Sequence, residues 1–287
     1  MKSLGKQLSL CWRYDAGESA LIWQLMFTGT GDLIGQKRYV ANRQALLFSI
    51  DSLTGQVLND GYQVMSSVNP VSTGEDWFTG LETTSWDLVY CYAYQQHSPE
   101  HQGIWAVDLR NGREVWARRD IIFAANFDHE FLVYQLSVFA GLPERHFMFI
   151  DPATGETIRQ LGSDSFSINA VRAQFVVEEE RQQVILPEFV VDGMAVERLA
   201  LQKAGVSDKA RCECIVQGSL TFAALHEPNA SSGLWCSSIK VWLDDHLVYT
   251  DSMEEHVDKP CLNNFLIRGS HFYYIKKKQE LVCVAIS

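Results

Sequence analysis

An all-β fold assembled from repeated four-stranded units, a β-propeller, is what this 287-residue sequence predicts. A turn signature that occurs three times, strand-type apolar runs spread along the chain, and a near absence of helical periodicity carry that prediction. The signature stretches are Leu47–Leu58, Ile104–Val115 and Phe147–Ile158. Each passes from an apolar strand to an Asp, then to a Gly four residues on, then to a second strand. The pairs are Asp51 and Gly55, Asp108 and Gly112, Asp151 and Gly155. An Asp at a strand end bonds the backbone two residues on, and the Gly supplies the positive φ a tight hairpin needs. The Asp is therefore expected as a turn brace, and the two strands as consecutive antiparallel neighbours.

Taken in order, the signature residues lie 57 and 43 positions apart, close to the roughly 40 to 50 residues of a propeller blade. They set one unit over 20–64, a second over 76–120 and a third over 121–162. The second contains the aromatic strand Trp86–Tyr94 and the third Phe131–Phe139. A fourth unit, over 165–216, is read from Phe175-Val176-Val177, Val184-Ile185-Leu186 and Arg198-Leu199-Ala200-Leu201. A fifth, over 218–255, is read from Leu220-Thr221-Phe222 and Ile239–Leu243, both units lacking the signature. No window of a dozen residues places apolar side chains at i, i+3, i+4 and i+7. Ser98–Gly103 and Glu227–Gly233 read as loops. At the C-terminus, Leu281–Ser287 reads as the third strand of a blade, stopping where the Asp would stand. Gly5 precedes Leu8 as Gly55 precedes Leu58, and Leu8–Tyr14 then reads as an outer strand. One blade shared between the termini would close the ring and satisfy its edge strands. The expectation is a single domain over 1–287, with six blades of four antiparallel strands and five or seven as alternatives.

The turn pattern resembles the repeat of quinoprotein-type (PQQ-like) propellers, whose blades carry an Asp, a Thr-Gly pair and a Trp four residues after the Gly. The middle copy has Asp108, Gly112 and Trp116, with Asn111 in place of the Thr. The outer copies keep Thr54-Gly55 and Thr154-Gly155 but carry Asn59 and Arg159 at the Trp position. The resemblance covers residues 20–162 and implies architecture. Quinoprotein folds often hold a quinone, but no cofactor-site motif of that kind is present in the sequence, and no cofactor is expected.

Composition narrows the function classes. The chain is 47% hydrophobic and 21% charged, enough to build a sizeable core. Its net charge of −11 disfavours nucleic-acid backbones. Lys276-Lys277-Lys278 reads as a solvated hairpin tip. The first ten residues lack an apolar run of signal-peptide length, and no stretch suits a membrane helix. Seven cysteines, an odd number mostly within strand runs, suit free buried thiols in a reducing compartment. A cytoplasmic location is the expectation, with no membrane and no nucleic-acid partner.

Chemistry-bearing clusters are sparse. Cys212-Glu213-Cys214 would put both sulfurs on one strand face, and two packed small residues are the plainer reading. The histidines are His97, His101, His129, His146, His226, His246, His256 and His271, of which only His97 and His101 form a close pair, in a loop. Glu178-Glu179-Glu180 and Asp244-Asp245 read as hairpin tips, and Asp128-His129-Glu130 as a turn. Trp12, Trp23, Trp77, Trp86, Trp105, Trp116, Trp235 and Trp242 are expected to pack between blades. No metal site and no cofactor site are expected, and the catalytic residues are unknown. The reading is a noncatalytic binding or scaffolding module that takes a protein or small-molecule ligand at one face of the propeller. The alternative is a hydrolase or other enzyme whose site gathers from distant blades in the central channel.

Overall fold

Each signature turn closes as its chemistry dictates in the computed structural model, which describes residues 8–64, 76–94, 100–190, 195–203, 206, 211–229 and 231–286. Asp51 Oδ1 accepts from the N–H groups of Leu53 and Thr54 at 3.0 and 2.9 Å. Asp108 Oδ1 accepts from Asn111 N–H at 3.1 Å, and Asp151 Oδ1 from Ala153 N–H at 2.7 Å. Gly55, Gly112 and Gly155 sit at φ 75°, 61° and 72°, where a Cβ would be strained.

Among the described residues β1 (Leu8–Asp15) comes first and three antiparallel meanders of four strands each follow. The first holds β2 (Ala20–Phe27), β3 (Leu33–Tyr39), β4 (Gln44–Ile50) and β5 (Val57–Tyr62). The second holds β6 (Thr79–Ser85), β7 (Leu88–Tyr94), β8 (His101–Asp108) and β9 (Arg113–Arg118). The third holds β10 (Ile122–Asn126), β11 (Phe131–Phe139), β12 (Leu142–Ile150) and β13 (Thr157–Gly162). Helices α1 (Ser165–Arg172) and α2 (Glu178–Arg181) follow, and Ser19–Gln182 forms one compact unit. The fold is all-β, and four-stranded antiparallel meanders of this kind are the units from which propeller blades are built.

Strand alternation joins these sheets. Trp105 and Val107 of β8 pack with Ile34 and Leu47 of the first sheet. Ile104 and Ala106, on the opposite face, pack with Phe131, Val133, Met148 and Ile150 of the third. Each fully buried Val, Leu, Ile, Phe or Met here contributes about 1.5–3 kcal/mol.

The residue four after the signature Gly docks on the next turn in the first two copies. Trp116 lies on Gly155 of the next turn, where a Cβ would come within 2.8 Å of the indole. Its Nε1 donates to the Pro152 carbonyl at 2.8 Å. Asn59 takes the same place against Gly112, 3.1 Å from where a Cβ would stand. Arg159 instead turns back on its own sheet, over the Phe149 ring at 3.9 Å, with both terminal nitrogens 2.7 Å from Glu130.

The second compact unit comprises Met1–Glu18 and Gln183–Ser287. It contains β14 (Val184–Ile185), β15 (Glu188–Phe189), α3 (Ala195–Lys203), β16 (Arg211–Gln217), β17 (Leu220–Pro228), β18 (Trp235–Leu243), β19 (His246–Val257), β20 (Phe265–Arg268), β21 (His271–Lys276) and β22 (Glu280–Ile286). One sheet runs β15-β16-β17-β18-β19 and the other β1-β22-β21-β20-β14. The terminal strands pair antiparallel from Leu8 with Ile286 to Asp15 with Glu280, as their sequences suggest. Gly5 lies outside the described residues.

Two expectations change. The described residues form five sheets, not the six units counted from sequence. Among the described residues the fourth unit forms no sheet of its own. Phe175-Val176-Val177 precede α2, Arg198–Leu201 lie in α3, and only Val184 and Ile185 of the middle run form a strand. Its short strands β14 and β15 join two different sheets. The helices of this region have eight, four and nine residues, below the window in which amphipathic periodicity is legible. Among the described residues no helix is long and apolar enough to cross a membrane.

Candidate functional site

Within Ser19–Gln182, the third sheet departs from the other two. β11 and β12 pair in unbroken register from Phe131–Ile150 to Phe139–Leu142. β10 reaches only Phe131–Tyr134, and β13 only Phe147–Ile150. Residues 135–146 therefore project as a two-stranded ribbon whose outer edges have no ladder partner among the described residues. Ala140 and Gly141, at φ 49° and 83°, make the tight turn at its tip. Val138, Phe139 and Leu142 at that tip are 75%, 73% and 71% exposed.

α1 faces the base of the ribbon. Asp164 caps it, accepting from Phe166 and Ser167 N–H groups at 3.4 and 3.0 Å. Ile168 anchors the helix against Leu132, Phe147 and Phe149. Between helix and ribbon lies a groove of about 690 Å³, a volume typical of ligand pockets. Leu136, Pro143 and Phe147 supply its apolar wall, while Asn169 and Arg172 bring polar groups from α1. Arg145 pairs with Glu100 at 3.2 Å and lies over the Tyr134 ring at 5.0 Å. His146 Nε2 meets both Ser137 Oγ at 2.9 Å and Glu144 at 3.0 Å. One ring nitrogen thus serves hydroxyl and carboxylate together, so this trio lacks the opposite-nitrogen geometry of a proton relay.

A second polar cluster gathers on the first strands of the same unit. Glu178, placed by sequence at a hairpin tip, opens α2 instead. Arg181 donates to Glu178 Oε1 at 2.6 Å and to the Thr84 carbonyl at 2.5 Å. Glu178 Oε2 accepts from Thr83 Oγ1 at 2.9 Å. Gln182 Oε1 accepts from Phe27 N–H of β2 at 2.9 Å, and Asn126 of β10 donates to Thr83 at 2.8 Å. The network clasps β2, β6 and β10, and its members satisfy one another.

In the second unit, Glu213, His226 and Ser237 from β16, β17 and β18 meet beneath the surface. His226 Nδ1 lies 2.9 Å from Ser237 Oγ, and Nε2 lies 3.3 Å from Glu213 Oε2. The other Glu213 oxygen accepts from Asn263 N–H at 2.8 Å. All three residues are at most 3% exposed, leaving the serine no route to substrate.

The remaining sequence candidates distribute plainly. Cys212 and Cys214 share an apolar face with Ala223, Leu225 and Trp242. Burial pushes both thiols up, that of Cys214 to about 12. His101 is not in a loop: it opens β8, 2.6 Å from Glu82 and stacked on Tyr92 at 3.4 Å, while His97 lies outside the described residues. Asp128 and Asp244 have φ 64° and 55° and sit in turns, as do Lys277 and Lys278 at 52° and 64°. Trp12, Trp105 and Trp242 are buried, but Trp23 and Trp86 are exposed. Arg38 lies 4.7 and 5.3 Å from the Trp23 and Trp77 rings. Sequence reasoning missed the ribbon groove, although Ala140-Gly141 within an apolar run and Asp164 ahead of Ile168 and Val171 mark its turn and its helix. The buried Glu213–His226–Ser237 set leaves no comparable mark, because cross-strand partners share no spacing.

A family model described as a domain of unknown function (DUF4905) matches residues 36–116, from β3 to β9. No curated protein matches. Among solved structures, the chain is similar to the acylaminoacyl peptidase of Pyrococcus horikoshii, at 11% identity and a TM-score of 0.30 over 92% of this chain. It spans only 37% of that peptidase. It is also similar to an endo-arabinase from Bacteroides thetaiotaomicron, at 8% identity and a TM-score of 0.28, over 96% of this chain and 94% of that one. A third is the β-propeller domain of the Trilobed protease from Pyrococcus furiosus, at 9% identity and a TM-score of 0.29, over 96% and 70%. Likenesses at this level assign neither an activity nor a ligand to this chain.

Proposed function

We propose that this chain is a noncatalytic binding module that takes a polypeptide partner on the β11–β12 ribbon and in the groove beside α1. The observation that carries the reading is the ribbon itself. It combines strand edges that have no ladder partner among the described residues with Val138, Phe139 and Leu142 exposed at its tip. An exposed strand edge is a template for another chain, and alternate side chains give it specificity. The groove adds an apolar wall with a few polar groups. The clasp around Arg181 and the buried His226 set favour binding over hydrolysis, because their polar groups are spent on one another.

The frame for this surface is a quinoprotein-type propeller of a single domain, with the β1–β22 pairing closing its ring. Support comes from the Trp116 and Asn59 docks and from the pairing of the terminal strands. The free state of all seven cysteines suits a cytoplasmic setting.

Site-specific photo-cross-linking in cells tests the function. A photoreactive residue at Phe139 should capture a discrete partner, and one at the exposed turn residue Leu53 should not. Equal capture at both positions, no capture at Phe139, or a product of twice the chain's own mass would overturn the partner reading.

A further inference from the structure

The second unit holds a juxtaposition that the binding reading leaves unused. Cys11 of β1, His271 of β21 and Cys283 of β22 bring their donor atoms within 4.8 Å of one another. The backbone explains the meeting. Cys283 stands opposite Trp12 on one side and Tyr273 on the other, so these three side chains share a sheet face. His271 lies two residues before Tyr273 and returns to that face, its ring 6.2 Å from the Tyr273 ring. Strict alternation would send Cys11 to the opposite face from Trp12. The register shifts between Leu10 and Trp12, however, and Cys11 is the extra residue of that bulge. A bulge re-aims a side chain and recurs next to functional sites.

Burial separates the two sulfurs. Cys283 is buried, as a packed thiol would be, whereas Cys11 is exposed, its thiol 3.8 Å from the Ser9 carbonyl and also bonded to the Cys283 thiol. An exposed cysteine gains nothing from the apolar packing that explains the other buried thiols. Two sulfurs and an imidazole form the donor set of a borderline-soft cation. With bonds of about 2.3 Å to sulfur and 2.0 Å to nitrogen, tetrahedral donors stand about 3.4–3.8 Å apart. The donors now lie within 4.8 Å, and Cys11 and His271 are the more accessible of the three side chains.

We propose that Cys11, His271 and Cys283 form a zinc site with its fourth position facing solvent. Each thiol would lose a proton to solvent as its sulfur–zinc bond forms, and neutral His271 would donate one ring nitrogen, leaving the site without net charge. Among the described residues no fourth Cys, His, Asp or Glu donor joins them. Three protein ligands with one open position is an arrangement zinc accepts. The site would also staple the two terminal strands to β21.

Cobalt(II) titration of the reduced full chain is the test. One equivalent should give a thiolate-to-cobalt charge-transfer band and visible ligand-field bands, both erased by zinc. Cys11→Ser and His271→Asn, at the less buried positions, should each weaken binding by more than about 100-fold, the upper range for loss of even an outer-shell partner. A Cys212→Ser/Cys214→Ser control should keep the bands. Absence of a thiolate band, its persistence in Cys11→Ser or His271→Asn, or its loss in the control would overturn the proposal. So would a Cys11–Cys283 disulfide forming in a chain that binds no cobalt when reduced.

Discussion

Ser19–Gln182 and the unit made of Met1–Glu18 with Gln183–Ser287 are both built from antiparallel sheets, yet they fasten those sheets differently. In the first, one residue at a fixed distance from each turn reaches the next turn: Asn59 meets Gly112, and Trp116 meets Gly155. In the second, the joins are charged and irregular. Asp251 of β19 accepts from Tyr274 Oη at 2.5 Å and from Lys276 Nζ at 2.6 Å, both on β21. A shared apolar cluster of Phe222, Val241, Phe272 and Val284 backs these contacts. A join made by a turn motif repeats with the motif. A join made by side chains from distant strands has no repeat to betray it. Arg159 marks where the first mode ends, since it folds back on Phe149 and Glu130.

The largest test of this contrast is removal of residues 1–14. β22 would then lose its partner from Leu8 to Tyr14 and expose an apolar edge. The expected outcome is insolubility or loss of a cooperative melt, read by solubility and calorimetry. Shortening the turn at 231–233 should be mild, because loop length costs little. A soluble deletion variant that melts like the full chain would show that the terminal strand is dispensable.

Next in size is Trp116→Ala, which removes the indole from Gly155 and the bond to Pro152. We expect a loss of about 2–3 kcal/mol for this half-buried ring in urea unfolding. Asn59→Ala should lose less than about 1 kcal/mol, because a smaller polar group is removed. Equal losses would mean that the docks do not scale with the side chain that makes them.

Arg181→Met probes the clasp that repeats no motif. It strands Glu178 beside Thr83 and should cost about 2 kcal/mol, below the fully buried case because the network keeps some access to water. Glu178→Gln combined with Arg181→Met should cost less than the sum of the two single changes. Strict additivity would dissolve the clasp into independent contacts.

The smallest expected effect is on acid stability. Burial raises the carboxyl of Asp251, but the hydrogen bonds from Lys276 and Tyr274 and the Lys276 charge outweigh it, holding the group below its usual range. A carboxylate depressed on folding stabilises the protein above its unfolded value of about 3.9, and that contribution disappears as pH falls through the folded value. Asp251→Asn should therefore flatten the fall in stability below about pH 4. An unchanged acid limb would remove Asp251 from the join.

Much of the first unit is legible in the chain. Asp51, Asp108 and Asp151 brace their turns through backbone groups two or three residues away, and their glycines adopt the required φ. Such chemistry is local, so neighbouring letters specify it. The fourth unit reads as strand because Val176, Val177 and Leu199 suit a strand by type, while its helices are too short to reveal their periodicity. The candidate sites were barely legible. Glu178–Glu180 are adjacent in sequence, yet Glu178 makes its contacts with Thr83 and Arg181, which adjacency does not reveal.

The sequence by itself determined the all-β class, the three signature turns, the meanders they close and the kinship of the terminal strands. Only the tertiary structure decided that five sheets form among the described residues, that β11 and β12 outrun their neighbours, and that Cys11 meets Cys283 and His271. The physical reason is range. A turn is settled by dihedral preferences and hydrogen bonds within about five residues. A ribbon's free edge, or a bulge that swings a cysteine across a sheet face, depends on the pairing of strands distant in sequence.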